Sequence, residues 1–367
     1  MKKVLRFFLI YGLFRTIIKV AGRTRWVFLR FFFKSSYIHQ KKVVSLIGCG
    51  QFGFATMSYF LQKIKYNCFL ECFDIDNTQS ETAANFWGYR KVDDVTDLIN
   101  NPQCKYVYIA SNHCTHTPYA IQAIRAGKIV YVEKPIAVTY DQLSDLLIEL
   151  KKYPTLIYAG YNRPYSKAIL QLRYFLKDLN LPFTLGCFIS GHKIGLEHWY
   201  RKPEEGTRVC GNIGHWLDLS IHLFNMRGYI PMKYEINVIQ SDSTDLDDNL
   251  TISYSTDYGD LVSITLTSRE EPFEGINETI NLQCGNVISK IDDFRKQQIW
   301  VGNRKYSYSY FPKDVGHARC ILQPFIKNNR DFKEVIYSTL LMLKIKEMVL
   351  AKENFSCYDM LLDLERL

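Results

Sequence analysis

Between residues 42 and 160, short apolar runs alternate with segments in which apolar positions recur every three or four residues. The runs have the length of buried strands, and the segments between them have the period of amphipathic helices. This alternation predicts a parallel, doubly wound sheet whose strands end along one rim. The predicted strands are 43–47, 69–75, 106–111, 129–133 and 156–161, and the predicted helices are 54–64, 79–87, 117–126 and 140–152.

Beyond residue 162 the pattern changes to a helix, a strand, a polar stretch, a second helix and then several strands with period-two alternation. The first helix falls at about 166–178, the first strand at 182–190, and the second helix begins at about 212. The remaining strands are 234–241, 249–256, 260–268, 278–284, 286–291 and 297–301. They predict an open, predominantly antiparallel sheet with helices on one face, so the fold class is α/β with two domains. The other face is predicted to form a homo-oligomer. A last helix, at about 331–351, would dock on the body.

The basic charge of the chain is concentrated in its first 42 residues. They hold eleven of the 46 Lys and Arg residues and none of the 37 Asp and Glu, so the remainder is near neutral. Their apolar blocks are shorter than the ~20 residues that span a bilayer, and Arg6 interrupts what would be a signal-peptide core. Residues 1–36 suit an in-plane helix at an anionic membrane surface. The alternative is an arm that packs on the body or a second subunit, and nucleic-acid binding is disfavoured.

The ten cysteines are scattered, and they form neither a C-x-x-C pair nor a cluster with metal-ligand spacing. Several stand in apolar runs, as buried reduced thiols do. This usage predicts a reducing compartment, without disulfides and without a metal. We therefore expect a cytoplasmic protein, with its N-terminal extension at the inner face of the cell membrane.

The glycine-rich stretch G-C-G-Q-F-G follows directly on the first predicted strand. Gly48 would allow a sharp turn, Gly50 would let the backbone approach a pyrophosphate, and Gly53 would let the next helix pack against the strand. The N-terminus of that helix favours phosphate charge. Gln51 and Phe52 complete the predicted cofactor-binding turn.

An acidic residue follows the second predicted strand, as dinucleotide binding requires. Asp74 lies 21 residues beyond the last glycine of the turn, where a carboxylate accepts hydrogen bonds from the adenosine ribose. It favours NAD over NADP, because a carboxylate repels a 2′-phosphate, although NADP is not excluded. Asp76 leaves open which acid binds the ribose. The predicted domains are an extension 1–41, a Rossmann domain 42–160, a substrate-binding and oligomerisation domain 161–330, and a C-terminal helical segment 331–367.

A lysine stands at another predicted strand end, in the sequence E-K-P at 133–135. A lysine held there can hydrogen-bond a substrate hydroxyl and stabilise developing alkoxide charge. Taken alone, such a lysine is more often a solvated strand end. Together, G-C-G-Q-F-G, the acid at 74, A-S-N-H-C-T-H at 110–116, E-K-P and G-Y-N-R at 160–163 resemble the glucose-fructose oxidoreductase/inositol dehydrogenase/MocA (Gfo/Idh/MocA) family over about 42–350.

The resemblance implies roles for particular residues. Lys134 matches the family's active-site lysine, preceded by Glu133. Ser111 and His116 match the segment that lines the nicotinamide, although Asn112 replaces the usual proline. The G-Y-N-R segment implies that Tyr161, Asn162 and Arg163 lie near cofactor and substrate.

The resemblance also implies a second catalytic motif, in the glycine-rich stretch 206–219. His215 would be the general base, and a neutral imidazole suits that task. Many family members carry an acid three or four residues earlier, whereas this chain has Asn212 and Gly211. Asn212 can orient substrate or imidazole but takes up no proton. Asp218 would orient the histidine ring, or would serve only on the helix surface or as a cap.

The loop 191–202 is rich in cationic and aromatic residues. Aromatic faces stack on sugar or uracil rings, and cations bind phosphate. The loop is predicted to hold a nucleotide-linked or anionic sugar, and the alternative is a solvated loop. The residues concerned are His192, Lys193, His198, Tyr200 and Arg201.

These observations predict an NAD(P)-dependent oxidoreductase that transfers hydride between nicotinamide and a secondary carbinol carbon of a sugar. A nucleotide sugar in surface-polysaccharide biosynthesis is the expected substrate class, because the basic extension would keep the enzyme near membrane-bound transferases. One alternative is a redox-neutral cycle with retained cofactor, giving epimerisation, elimination or glycoside cleavage. The other is a non-catalytic dinucleotide-binding scaffold or sensor.

Overall fold

The structure is a computed structural model that describes residues 2–33, 41–64, 67–177, 179–241, 247–272, 275–327 and 329–367. Residues 1 and 34–40 of the predicted extension, and residue 178 at the end of a predicted helix, lie outside this range. The chain forms two compact units. The parallel-sheet unit comprises 7–160 and 317–332, and the large-sheet unit comprises 1–6, 161–316 and 333–367.

The parallel-sheet unit is built on six strands in the order β3-β2-β1-β4-β5-β6, the order typical of dinucleotide-binding folds. The strands are β1 Val44–Ile47, β2 Phe69–Phe73, β3 Arg90–Lys91, β4 Tyr106–Ile109, β5 Ile129–Val132 and β6 Ile157–Ala159. All neighbouring pairs are parallel. The central strands are buried on both faces, which explains their continuous apolar sequence.

Helices connect these strands or precede the sheet. Two begin the chain, α1 Lys2–Tyr11 and α2 Leu13–Thr24, followed by a 3-10 helix at Val27–Phe33. A π-helical turn at Gly53–Met57 leads into α3 Ser58–Ile64. The others are α4 Asn77–Trp87, α5 Val95–Asn100, α6 His113–Arg125, α7 Tyr140–Lys152 and, after the large-sheet segment, α10 His317–Ile321.

Local sequence explains where these helices begin and end. Asp76 accepts a hydrogen bond from the Thr78 amide at the start of α4, and Thr139 caps α7 in the same way. Gly88 ends α4 in the left-handed conformation that glycine adopts most easily.

The large-sheet unit has nine strands in the order β14-β13-β12-β11-β7-β10-β9-β8-β15. They are β7 Phe183–Ser190, β8 Lys233–Gln240, β9 Leu250–Thr256, β10 Leu261–Thr267, β11 Asn277–Cys284, β12 Val287–Asp292, β13 Lys296–Val301, β14 Arg304–Ser309 and β15 Phe355–Asp359. Within the described part of this sheet, β7 and β10 are the one parallel pair. The helices are α8 Lys167–Leu176, α9 Gly214–Met226, α11 Phe332–Ala351 and α12 Met360–Arg366. Buried and exposed positions alternate along the strands, as in a sheet with one covered face.

The predicted α/β fold class is therefore confirmed, and the predicted strands agree with the structure to within about two residues. Several short or polar elements were missed, namely β3, β14, β15, α5, α10 and α12. No helix among the described residues is long and apolar enough to cross a membrane.

Candidate active site

The register of the parallel sheet brings the predicted cofactor residues to one rim. Ile47 pairs with the last residue of β2 and with Ile109, which in turn pairs with Val132. Val132 pairs with Ala159. The residues that directly follow this row are Gly48, Asp74, Ala110, Glu133 and Gly160. The motifs separated along the sequence thus meet at the carboxyl edge of the sheet, where open α/β folds bind ligands.

Each of the three positions in the turn favours glycine for a different structural reason. Gly48 has φ +90°, and a Cβ there would lie 2.5 Å from the carbonyl of Ala110. A Cβ at Gly53 would overlap the carbonyl oxygen of Gly48. Gly50 has no atom within 4 Å of its Cβ position, so the backbone is open on that side. The turn thus combines a left-handed residue, an open approach and a tight helix contact, which fits a pyrophosphate.

The carboxylate of Asp74 is held beside this turn. Its Oδ2 accepts a hydrogen bond from the Cys49 amide at 2.7 Å, and its Oδ1 accepts one from the Asp76 amide at 2.9 Å. Each carboxylate oxygen has further acceptor capacity for ribose hydroxyls. Asp76 instead caps α4, and the amide of Thr78 lowers the pKa of its carboxyl. The structure therefore favours Asp74 as the ribose acceptor.

Sequence reasoning missed Tyr119, which lies on α6 near this acid. Burial and the charge of Asp74 raise the pKa of the tyrosine hydroxyl.

The glycine turn, the open side at Gly50 and the acid at the end of β2 together fit a bound dinucleotide.

His116 joins two loops of the rim. Its Nδ1 lies 2.8 Å from the carbonyl oxygen of Pro135, and its Nε2 lies 3.0 Å from that of Ser111. Burial lowers its pKa to about 4, with a smaller contribution from the positive charge of Lys134. The ring is therefore neutral near pH 7, and it acts as a positioning residue for the loop that carries Lys134, rather than as an exposed cofactor contact.

The remaining predicted cofactor residues lie on the same rim. Lys134 is half-buried and is joined to its proline by a cis peptide. Asn112 is exposed at the N-terminus of α6. Glu133 is buried, and a Cβ at Gly160 would lie 2.7 Å from its Cδ. Only glycine allows the ends of β5 and β6 to approach in this way.

Two side chains of the glycine turn face protein. The amide nitrogen of Gln51 donates to the carbonyl of Lys19 at 3.4 Å, so its side chain is directed toward the N-terminal extension. The ring of Phe52 packs edge-on against His317, with centroids 5.6 Å apart. Any contact of these two residues with the cofactor would therefore be made by their backbone groups.

The large-sheet unit positions His215 at the start of α9. A π-helical turn at Val209–Ile213 precedes the helix. The His215 ring packs edge-on against Tyr161, with centroids 6.1 Å apart and planes at 88°. A Cβ at Gly214 would lie 2.9 Å from the sulfur of Met342, so this helix start is tightly packed.

Asn212 is oriented by an arginine that sequence reasoning did not single out. Arg208 donates from Nε to Oδ1 of Asn212 at 3.2 Å. Because arginine only donates, the Asn212 oxygen must face it and the amide NH₂ must point the other way. Arg208 is fully buried and pairs with Asp248. Asn212 is therefore set up as a hydrogen-bond donor on the turn before His215.

Three predicted substrate residues have structural roles instead. Arg163 is buried and pairs with Glu278 at 3.0 Å, and Glu278 also accepts a hydrogen bond from Trp216 at 2.8 Å. Asn162 is buried, and its amide nitrogen donates to the carbonyl of residue 315 at 2.6 Å. Asp218 is fully buried and accepts a hydrogen bond from the Ser338 side chain at 3.0 Å, so it is not a helix-surface residue. These contacts fix the three side chains within the protein, and their contact with substrate stays a prediction.

The loop 191–202 borders an open cavity of about 630 Å³ within the large-sheet unit. Lys193, Arg201 and Arg269 line it. Arg201 pairs with Asp247 at 3.0 Å and with Asp248 at 2.6 Å, so its charge is largely neutralised. Of the other predicted residues, His192 lies 2.9 Å from a carboxylate oxygen of residue 271, and Tyr200 packs against His198 and Trp199.

Fold and rim together define a dinucleotide-binding unit. Residues 42–161 match the model of the Gfo/Idh/MocA oxidoreductase family, described as an NAD-binding Rossmann fold. Over residues 42–161 this match confirms the resemblance drawn from the motifs, and the segment is an NAD-binding Rossmann fold.

Known proteins resemble the chain in sequence and in fold. Myo-inositol 2-dehydrogenase of Thermotoga maritima is 27% identical over 157 residues, 42% of this chain and 44% of the relative. The chain spans about half the length of the curated relatives it matches. The crystal structure of GenD2 from gentamicin A biosynthesis, in complex with NAD, has a TM-score of 0.72 at 14% identity and covers 89% of this chain and 99% of that chain. The structure of UDP-N-acetylglucosamine 3-dehydrogenase of Acidithiobacillus ferrooxidans has a TM-score of 0.69 at 14% identity, and the match covers 85% of this chain and 99% of that chain. The structural likenesses show the fold.

The ten cysteines are free thiols, and all but Cys114 and Cys357 are buried. Within the described ranges, no group of three or more His, Cys, Asp or Glu side chains is placed to hold a metal ion.

Proposed function

We propose that the protein is an NAD-dependent oxidoreductase that acts on a secondary hydroxyl or keto carbon of a sugar. The observation that carries this proposal is the rim of the parallel sheet, where the glycine turn, Asp74 and Lys134 occupy the ends of register-aligned strands. Such an edge supports both cofactor binding and chemistry at the reacting carbon. When bound, NAD supplies the hydride acceptor at the nicotinamide ring.

Lys134 is proposed to hold the substrate oxygen. Its ammonium group would donate a hydrogen bond to the hydroxyl and stabilise the negative charge that develops as the hydride leaves. His116 supports this role because its buried ring lies between the carbonyl oxygens of Pro135 and Ser111, on the loops after β5 and β4, and as a neutral ring it donates a hydrogen bond to one of them. An uncharged His116 also adds no positive charge beside the lysine.

His215 is proposed to take the hydroxyl proton. Its packing against Tyr161 supports a fixed ring orientation at the start of α9. Asn212, turned by Arg208, would donate its amide hydrogens to another substrate oxygen. The acid that many family members carry near this position is replaced by a donor, so the proton would go to His215 alone.

A nucleotide-linked sugar from surface-polysaccharide biosynthesis is the proposed substrate class. The cavity beside the loop 191–202 supports it, because Lys193 and Arg269 bring positive charge to a space large enough for a diphosphate. One protein of similar fold is a UDP-N-acetylglucosamine 3-dehydrogenase. Lys193→Ala and Arg269→Ala should raise KM for a UDP-sugar at least fivefold and leave KM for the free sugar unchanged. The matched control is Arg304→Ala on the edge strand β14. Equal effects on both substrates would contradict the assignment.

The reaction is tested by mixing the protein with NAD and UDP-sugars and recording the absorbance of reduced nicotinamide. Net formation of the reduced cofactor is expected. Product without net reduction would instead indicate the redox-neutral cycle, and binding without product would indicate a scaffold or sensor. Lys134→Met should lower kcat at least a thousandfold while NAD still binds. Activity close to that of the unmodified protein would remove Lys134 from the mechanism.

A further inference from the structure

The N-terminal segment 7–33, called the arm below, has one face packed on the parallel-sheet unit. Ile18 is fully buried, and Arg15 donates from Nη1 to the carbonyl of Ala55 at 2.7 Å. At the other end of the arm, the Phe33 ring lies 5.9 Å from that of Trp87. The arm is therefore a fixed part of this unit.

Other side chains of the arm are apolar and exposed. Leu13 and Phe14 are each 53% exposed, Trp26 is 53% exposed and Phe28 is 67% exposed. Trp26 and Phe28 stack on each other with centroids 5.6 Å apart. Single exposed apolar residues are ordinary, but several on one short segment, two of them stacked, are typical of an interaction surface. Tryptophan and phenylalanine beside cations are typical of helices that lie at a lipid interface.

The charges of the arm favour an anionic partner. Arg15, Lys19 and Arg23 lie at four-residue spacing on α2, but Arg15 is turned inward to the carbonyl of Ala55 and Lys19 is half-buried, so Arg23 is the exposed cation among them. Residues 1–42 contain no acidic side chain to offset them. Burial, together with the positive charges of Arg15 and Arg23, lowers the pKa of Lys19 to about 8. A second arm would add further positive charge and no acid to pair with it, whereas lipid phosphates would neutralise the excess positive charge of the arm.

We propose that the arm docks the protein on an anionic lipid surface, with Trp26 and Phe28 in the headgroup region and the exposed Arg23 against lipid phosphates. Binding would then depend on both apolar contact and charge. Because the inner face of the arm is packed on the dinucleotide-binding unit, docking would hold that unit at the surface.

The test uses the full chain and point variants, because deleting the arm would also remove its packing contacts. Sedimentation with phosphatidylglycerol vesicles should capture the protein, and phosphatidylcholine vesicles should not. The double variant Trp26→Ser/Phe28→Ser should bind at least tenfold more weakly. Tyr174→Ser is the matched control, since this exposed aromatic residue (68%) lies on α8. Unchanged binding of the double variant, equal binding to both lipids, or loss of self-association instead of lipid binding would overturn the proposal.

A separate observation concerns the glycine turn itself. Both backbone polar groups of Cys49, the residue between two of its glycines, are held by side chains. Its amide donates to Asp74, and its carbonyl accepts a hydrogen bond from Nη1 of Arg25 at 3.1 Å. The guanidinium of Arg25 also lies over the Phe54 ring, 4.8 Å from its centroid. The arm thus reaches the turn that binds the cofactor phosphates.

We infer that Arg25 is a positioning residue for the phosphate-binding turn. It acts through the Cys49 carbonyl, which fixes the plane of the peptide ahead of Gly50. Without this hydrogen bond the turn would sample other peptide orientations, and ordering it would cost binding free energy. The expected consequence is weaker cofactor binding with an unchanged chemical step.

Calorimetric titration with NAD tests this inference. Arg25→Ala should raise Kd five- to twentyfold, with kcat at saturating NAD within twofold, and Arg25→Lys should recover most of the affinity. Arg30→Ala is the matched control, because Arg30 also donates one Nη1 hydrogen bond from the arm to a backbone carbonyl, that of Asn85 at 2.9 Å. Unchanged NAD affinity in Arg25→Ala, or an equal loss in Arg30→Ala, would overturn the inference.

Discussion

Replacing Gly50 by alanine should separate cofactor binding from folding. The Cβ position at Gly50 has no neighbour within 4 Å, and its φ lies outside the left-handed region. The new methyl group therefore costs the folded protein no contact. Alanine also makes the unfolded chain less flexible than glycine does, which would raise the free energy of unfolding by about 0.4–1 kcal/mol. We expect a melting temperature equal to or slightly above that of the unmodified protein.

The same methyl group would occupy the side from which the pyrophosphate approaches. Loss of one hydrogen bond between a backbone amide and a charged phosphate costs about 1.5–3 kcal/mol. At 1.4 kcal/mol per tenfold, this raises Kd for NAD by roughly 10- to 150-fold. Calorimetric titration and thermal denaturation measure the two effects on the same samples.

Two further glycines serve as controls. Gly48→Ala should destabilise the fold itself, by about 1–2 kcal/mol for the left-handed backbone and about 1–3 kcal/mol for overlap with Ala110. Gly186→Ala, in β7, also enters open space without a left-handed φ and should change neither property. If Gly50→Ala bound NAD as tightly as the unmodified protein, the assignment of the open side to the pyrophosphate would be refuted.

Three other predictions follow from buried groups and from the sheet. Because burial lowers the pKa of His116 from 6.5 to about 4, its contribution to stability is complete above pH 6.5. The free energy of unfolding falls by up to about 3 kcal/mol as the pH falls from 6.5 to 4. Urea titrations of His116→Gln should show a shallower acid dependence, and an unchanged slope would contradict this. Glu278→Gln leaves the buried Arg163 without its carboxylate and should cost about 3–5 kcal/mol in urea unfolding, whereas a loss below 1 kcal/mol would show that the pair is not structural. We expect the uncovered face of the large sheet, where Phe188 is 51% exposed, to form a homodimer, so Phe188→Lys should sediment as a monomer, and a monomeric unmodified protein or an unchanged dimer in the variant would contradict this.

Local sequence was sufficient for the order and type of most elements. Alternating apolar runs predicted five strands of the parallel sheet, and period two predicted β7 to β13. The missed strands β14 and β15 lie at the two edges of the large sheet. Edge strands are short and polar, so their sequences carry little of the hydrophobic pattern on which the prediction depends.

The sequence by itself determined the parallel-sheet fold, the glycine turn and the acid that follows β2, because each depends on residues close together along the chain. Only the tertiary structure decided which polar residues are available for chemistry. Arg163 is separated from Glu278 by 115 positions, and Arg25 from Cys49 by 24, so no local pattern reveals either contact. Burial and long-range pairing place Arg163 in the core and Arg25 at the phosphate-binding turn, and both depend on how distant segments pack.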